Sequence, residues 1–269
     1  GAGGAAASGT GGTPYNNNDL ERLQTYAMEC ILCTTDKAEI QRVFGPSAKL
    51  RQPVKGVHFF YVINPQTKQQ HVVMDGQKWS TLEQLQSQMA EAKEKGQSAY
   101  DYYEVEDIVT TIADQLKIFL RKDYPTTVVG HSFAGCIAML LGVRLVASKM
   151  KVSEIFTYGM PDLVPAAKVA GKEVKKISSI LHITVPEDPS SHLFGNRQNS
   201  GLSLMLLRDQ YYCFDPELGD KLMEKTVDIS QLKPEDLSYN LLKHYNVLLK
   251  SKVGKGHAVP VGISELDKY

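Results

Sequence analysis

The chain is poor in cysteine, with four in 269 residues, at positions 30, 33, 136 and 213. That is too few for a disulfide scaffold at this length, and no Asn-x-Ser/Thr acceptor occurs, so the sequence gives no support to secretion. An excess of charge of either sign is missing too. Thirty Lys and Arg residues balance thirty Asp and Glu residues, which excludes a nucleic-acid binder that works by neutralising phosphates. Long hydrophobic runs are also absent. The apolar stretch from Cys136 to Val143 is closed by Arg144, far short of the ~20 residues that a membrane-spanning helix needs. No Gly-rich phosphate loop follows a predicted strand and no His/Cys/Asp group has metal-ligand spacing, so no nucleotide, metal or other cofactor is expected. Cys30 and Cys33 have redox-motif spacing, but they lie inside an apolar helical pattern rather than after a strand, and read as core cysteines.

The remaining composition, 42% hydrophobic and 22% charged, is that of a globular chain able to bury one sizeable core. Residues 1–18 are small, flexible and nearly free of aliphatic side chains, and read as a low-complexity N-terminal tail. A first residue that is Gly suits a processed precursor, and an organelle such as the mitochondrion is favoured over secretion. Residues 251–269 read as a C-terminal tail, leaving 19–250 as the folded domain.

Within that domain the periodicity changes along the chain. Leu20, Leu23, Ala27, Cys30 and Ile31 recur at helical steps. Val57 to Ile63 and His71 to Met74 read as strands of a hairpin turned at Asn64-Pro65. Leu82 to Lys95 and Val105 to Lys122 read as helices. Thr126 to Val129 is a short strand, followed by the turn Gly130 to Gly135 and by a helix, Cys136 to Lys149, that is apolar almost all round. Further β-rich segments at Glu154 to Tyr158 and Ser179 to Val185 are separated by crossover-length connections. This alternation predicts an α/β fold with a mainly parallel central sheet flanked by helices.

Strand, sharp turn and buried helix around Gly130-His131-Ser132-Phe133-Ala134-Gly135 form the local architecture of a nucleophile elbow. A serine hydroxyl is a weak nucleophile near neutral pH, so such a site also needs a base, an acid to orient it and donors for the oxyanion. Small residues on either side of Ser132 let strand and helix approach, and the Phe133 N–H stands where one oxyanion donor is required.

At these residues the sequence resembles the class 3 (fungal and plant type) lipases, which carry Gly-His-Ser-Leu-Gly-Gly at the elbow. The likeness extends over most of residues 20–245. The hairpin ending in Met74-Asp75-Gly76-Gln77 resembles the family's hairpin leading to Phe-Arg-Gly-Thr. Thr157-Tyr158-Gly159-Met160-Pro161 resembles its Thr-Phe-Gly-x-Pro, and Ile183 to Asp188 resembles the strand end that carries the catalytic aspartate. The resemblance implies an α/β-hydrolase fold, Ser132 as nucleophile and Asp188 as the orienting acid.

For the base the sequence leaves several positions open. Aligning Leu237-Ser238-Tyr239 with the family's His-Leu-x-Tyr places Asp236 at the base position, and anchoring on Tyr245 places Asn240 there. His244, or His257 nearer the terminus, restores an imidazole, and His192 follows Asp188 too closely. Gln77 stands where the family has a hydroxyl donor, and its amide can serve the oxyanion with the Phe133 N–H. Asp75 stands where the family has arginine, with the wrong sign of charge for stabilising an oxyanion.

Two functions follow as expectations. One is a lipase-like serine hydrolase of acylglycerol or phospholipid esters through Ser132, Asp188 and His244, with Phe133 and Gln77 at the oxyanion. The other is an inactive lipase-like subunit with a structural or lipid-binding role, its tails gripping a multisubunit assembly. The expected partner is a lipid or ester substrate. Tyr100, Tyr102 and Tyr103 form an aromatic cluster that serves either peripheral membrane contact or packing under a loop, the second being favoured. Lysines 149, 151 and 168–176 read as helix-end or solvated charges.

Overall fold

The computed structural model describes residues 17–185, 188, 190, 201–207, 211–214 and 241–252. Most of the two tails read in the sequence lies outside the described residues, as do Asp236, Asn240, His192 and His257.

Eight strands follow one another across a single sheet in chain order. β1 (Ala48–Leu50), β2 (His58–Asn64) and β3 (Gln69–Gly76) are antiparallel neighbours. β3, β4 (Thr126–Ser132), β5 (Val152–Tyr158), β6 (Ser179–Thr184) and β7 (Leu202–Leu206) run parallel, and β8 (Tyr211–Phe214) turns back antiparallel at the far edge. The mainly parallel sheet and the N-terminal hairpin are those the sequence predicts.

The central strands are buried on both faces because helices cover both. On one side lie α3 (Leu82–Glu94), α4 (Ala99–Tyr102), α5 (Val105–Phe119), α6 (Phe133–Ala147) and α7 (Lys172–Lys175). α5 is one-sided: Val105, Ile108, Val109, Ile112, Ala113 and Leu116 face the core. α6 is wedged between the sheet and α5, which is why it is apolar nearly all round, and its Arg144 pairs outward with Glu106. On the other side lie α1 (Asn17–Leu32), α2 (Lys37–Phe44) and α8 (Leu242–Lys252). There Leu20, Leu23, Ala27 and Cys30 of α1 meet Leu242, Tyr245 and Leu249 of α8 in the core. α1 starts two residues inside the stretch read as tail, and α8 ends on a buried Lys252.

Cys30 and Cys33 are fully enclosed, and Cys33 Sγ–H reaches the Val73 carbonyl at 3.4 Å. Burial drives both thiols well above the ordinary range, which makes them packing residues rather than a redox pair.

The turn from α6 into β5 is unusual for its residue type. The N–H of Lys149 bonds to Val146 O and that of Met150 to Leu145 O, a Schellman closure in which Lys149 holds φ = +69°, where glycine is ordinarily found. A left-handed non-glycine residue costs roughly 1–2 kcal/mol, partly offset by the greater freedom that glycine adds to the unfolded chain. Lys149→Gly is therefore expected to raise unfolding stability by about 0.5–1 kcal/mol in urea titration.

Candidate active site

The carboxyl ends of β3, β4, β5 and β6 bring Gln77, Ser132, Phe133 and Asp188, but not His244, to one rim of the sheet, the usual place for ligands in parallel α/β folds. The register pairs Gly76 with Ser132 and Asp75 with His131, so Gln77 leaves β3 beside the elbow. His131 pairs with Tyr158, and Tyr158 with Ile183, which carries the rim across to the segment bearing Asp188.

Ser132 closes β4 and caps α6 with φ = +55° and ψ = −129°, a conformation that L-residues avoid and that lifts the side chain out of the run of the strand. The turn is tight because its neighbours are glycines. A Cβ on Gly130 would stand 2.3 Å from the carbonyl oxygen of Ala134, and one on Gly135 would stand 3.0 Å from Met160 Cβ. Phe133 is the first helical residue, so its N–H belongs to the turn of donors that have no acceptor within the helix. Its ring is fully buried, with Tyr103 edge-on at 5.8 Å and the Lys78 ammonium 5.3 Å from its centre. Lys78 went unread in the sequence. Burial lowers its pKa, and it places a positive charge one residue beyond Gln77, the sign an oxyanion requires.

Tyr103 packs between Phe133 and Trp79 and donates to Gln88 Oε1, while Tyr100 and Tyr102 donate to Glu106 and Glu91. The tyrosine cluster thus ties α4 to α3 and α5 beside the elbow.

Asp75 lies behind the rim, on the α1/α8 side of the sheet. Its Oδ1 is 2.8 Å from Nδ1 of His131, and both groups are buried. The Asp75 carboxylate that the sequence set beside the oxyanion is bonded to the His131 imidazole. The same polar cluster continues to Tyr245, whose ring lies edge-on to His131 at 6.5 Å.

Asp188 is buried, and it sits against the end of β5. A Cβ on Gly159, which has φ = +61°, would come within 2.1 Å of Asp188 Oδ2. Tyr245 Oη donates to Oδ2 at 2.7 Å, and the Ser190 N–H donates to Oδ1 at 3.0 Å. Burial raises the Asp188 carboxyl above its ordinary range, while Tyr245, His131 and the Ser190 N–H pull it down. Among the described residues Tyr245 Oη and the Ser190 N–H are its hydrogen-bond donors, His131 acts on it by charge, and His244 makes neither bond. His244 is half-buried on α8, one residue from Tyr245 and so about 100° away around the helix, in the row of Leu241 and Leu248.

Tyr245→Phe removes a donor from a buried carboxylate, a loss of about 1–3 kcal/mol near neutral pH. It also moves the native pKa of Asp188 further above the unfolded value, so the native state binds the proton more tightly. The stability deficit of the variant is therefore expected to grow as pH rises from about 4 to about 7, and denaturant titration at several pH values measures it.

Residues 63–197, just over half of the chain, match the class 3 lipase family. The chain belongs to the class 3 lipases. Among solved structures, lipase II of Rhizopus niveus superposes with a TM-score of 0.50 at 14% identity, covering 72% of this chain and 82% of that one. The lipase of Rhizopus microsporus var. chinensis gives 0.47 at 16% identity, over 72% and 76%. The Lip2 lipase of Yarrowia lipolytica gives 0.46 at 17%, over 76% and 84%. No curated protein matches in sequence. At 14% identity the likeness to the Rhizopus niveus lipase speaks for the α/β-hydrolase fold alone, while the sequence match places the chain among lipase-like ester hydrolases. The matched stretch contains the elbow, the Tyr158-Gly159 turn and Asp188, and ends before α8. Metal-binding groups of three or more His, Cys, Asp or Glu side chains are absent among the described residues.

Proposed function

We propose that this class 3 lipase cleaves carboxylic esters of acylglycerols or phospholipids with Ser132 as nucleophile. The observation that carries the reading is the backbone of Ser132, a non-glycine residue held at φ = +55° between a parallel strand and the start of a buried helix. Such strain persists where the surrounding structure enforces it, and positioning a nucleophile is the use it serves in this type of turn. Ser132 Oγ attacks the ester carbonyl while an imidazole takes its proton. The N–H of Phe133 and the donors of Gln77 receive the oxyanion, with Lys78 adding charge of the favourable sign. Collapse expels the alcohol, which takes the proton back, and water then releases the carboxylic acid through the same steps. Asp188 is assigned as the orienting acid and His244 as the base. His257, outside the described residues, is the other imidazole this reading allows.

A second reading is favoured by one specific feature, the tyrosine hydroxyl on Asp188. A lipase fold in which Tyr245 completes the aspartate's bonding can serve as a lipid-binding or structural subunit without hydrolysis, with the tails read in the sequence as its contact segments. Turnover of p-nitrophenyl butyrate separates the two. The hydrolase reading expects turnover that Ser132→Ala abolishes and that either His244→Gln or His257→Gln lowers by several orders of magnitude. A folded parent protein without turnover supports the subunit reading.

A further inference from the structure

At the end of the sheet opposite Ser132, the starts of β5 and β6 form the floor of a cavity of about 420 Å³ lined by Pro125, Val146, Met150 and Val152, by Ser153 and Ser178, and by Lys149, Lys151 and Lys176. Among the described residues no carboxylate lines it, and none of the three lysines is in a salt bridge. We propose that this cavity is a binding site for a phosphate monoester, its phosphate held by Lys149, Lys151 and Lys176 and its organic group lying on the apolar floor.

The lysines stand on short, hydrogen-bonded turns. Lys149 is fixed in the left-handed position of the α6 closure, and the Lys151 carbonyl accepts from the Thr126 N–H of β4. Lys176 caps α7, its N–H bonded to Glu173 O. The register pairs Glu154 with Ser179, so Ser153 and Ser178 occupy neighbouring positions just before the strands pair. Ser178 is exposed at the mouth and adds a hydroxyl donor there. A phosphate monoester carries about −1.5 to −2 charges near pH 7, which three ammonium groups in a lining that holds no carboxylate are suited to offset. The volume exceeds that of a bare phosphate and lies within the range of small-molecule sites. A purely structural role, with lysines offsetting the negative end of α6, accounts for Lys149 and Lys151, which follow that end, but not for Lys176, which caps α7.

The phosphate monoester can be a free metabolite or a lipid headgroup, and neither depends on Ser132 being active. The test is calorimetric titration of the full chain with sn-glycerol 3-phosphate, beside co-sedimentation with phosphatidylcholine vesicles with and without phosphatidic acid. Saturable binding of glycerol phosphate is expected, and added retention by phosphatidic acid assigns the headgroup as a second source. Retention by phosphatidic acid alone keeps the site and assigns it to the membrane lipid. K151A/K176A is expected to weaken binding about tenfold or more, whereas K172A/K175A, which removes the same charge from the neighbouring helix, leaves it unchanged. Lys149→Gly is expected to lose affinity while gaining stability. Absence of binding to both probes, or equal weakening by the two double variants, overturns the proposal.

Discussion

Ser132→Gly is expected to yield a protein that is inert toward esters and yet more stable than its parent. The two effects have one cause, because the residue that must attack is the one whose backbone is held at φ = +55° and ψ = −129°. Strain of this kind costs on the order of 1–3 kcal/mol, and glycine removes it while giving back roughly 0.5–1 kcal/mol in unfolded-state freedom. A net gain of about 1 kcal/mol follows, readable as a higher midpoint in urea with an unchanged slope. Hydrolysis, in contrast, falls by roughly 10⁴–10⁶-fold, the scale of losing a serine nucleophile. Ser132→Ala, which keeps the strain, is expected to share the loss of turnover without the gain in stability. A Ser132→Gly chain less stable than Ser132→Ala contradicts the assignment of strain to this residue.

Gly130→Ala is expected to act in the opposite direction and to be strongly destabilising for a single added methyl. The added Cβ would meet backbone, the Ala134 oxygen at 2.3 Å and its carbonyl carbon at 2.8 Å, as well as Ala138 Cβ at 2.8 Å. A flexible side chain could swing aside, but the first turn of α6 cannot move without carrying Phe133 and Ser132 with it. Overpacking of a tight core typically costs 1–3 kcal/mol, and contact with backbone puts this case at about 3 kcal/mol or above. Turnover is expected to fall as well, by about 10²-fold if the shift moves the oxyanion donor by about 1 Å.

The elbow was legible in the sequence because its demands are local. Glycines at 130 and 135, a β-branched strand before them and an apolar helix after them fix the turn without reference to the rest of the chain. The long periodic helices α1, α5 and α6 and the hairpin were legible for the same reason. Short elements were not. α2 and β1 are too brief for a repeat to show, and β7 gains its identity from pairing beside β6 rather than from its own pattern.

The electrostatics of the site were the least legible, because they rest on contacts distant in sequence. Asp75 looked misplaced beside an oxyanion, since its partner His131 lies 56 residues further on and on a different strand. Tyr245 served in the sequence only as an alignment anchor for a missing histidine. Its hydroxyl instead reaches back 57 residues to Asp188, a bond that no local pattern signals. Gly159, part of the Thr-Tyr-Gly-Met-Pro segment, owes its place to that carboxylate, which leaves no room for a Cβ.

The most direct test of the central claim, that the strained Ser132 is an activated nucleophile, is labelling of the folded protein with a fluorophosphonate and identification of the modified peptide by mass spectrometry. The account predicts a single adduct on Ser132, lost in Ser132→Ala and strongly slowed in Asp188→Asn. A folded parent protein that takes up no label, or takes it up at another residue, contradicts it.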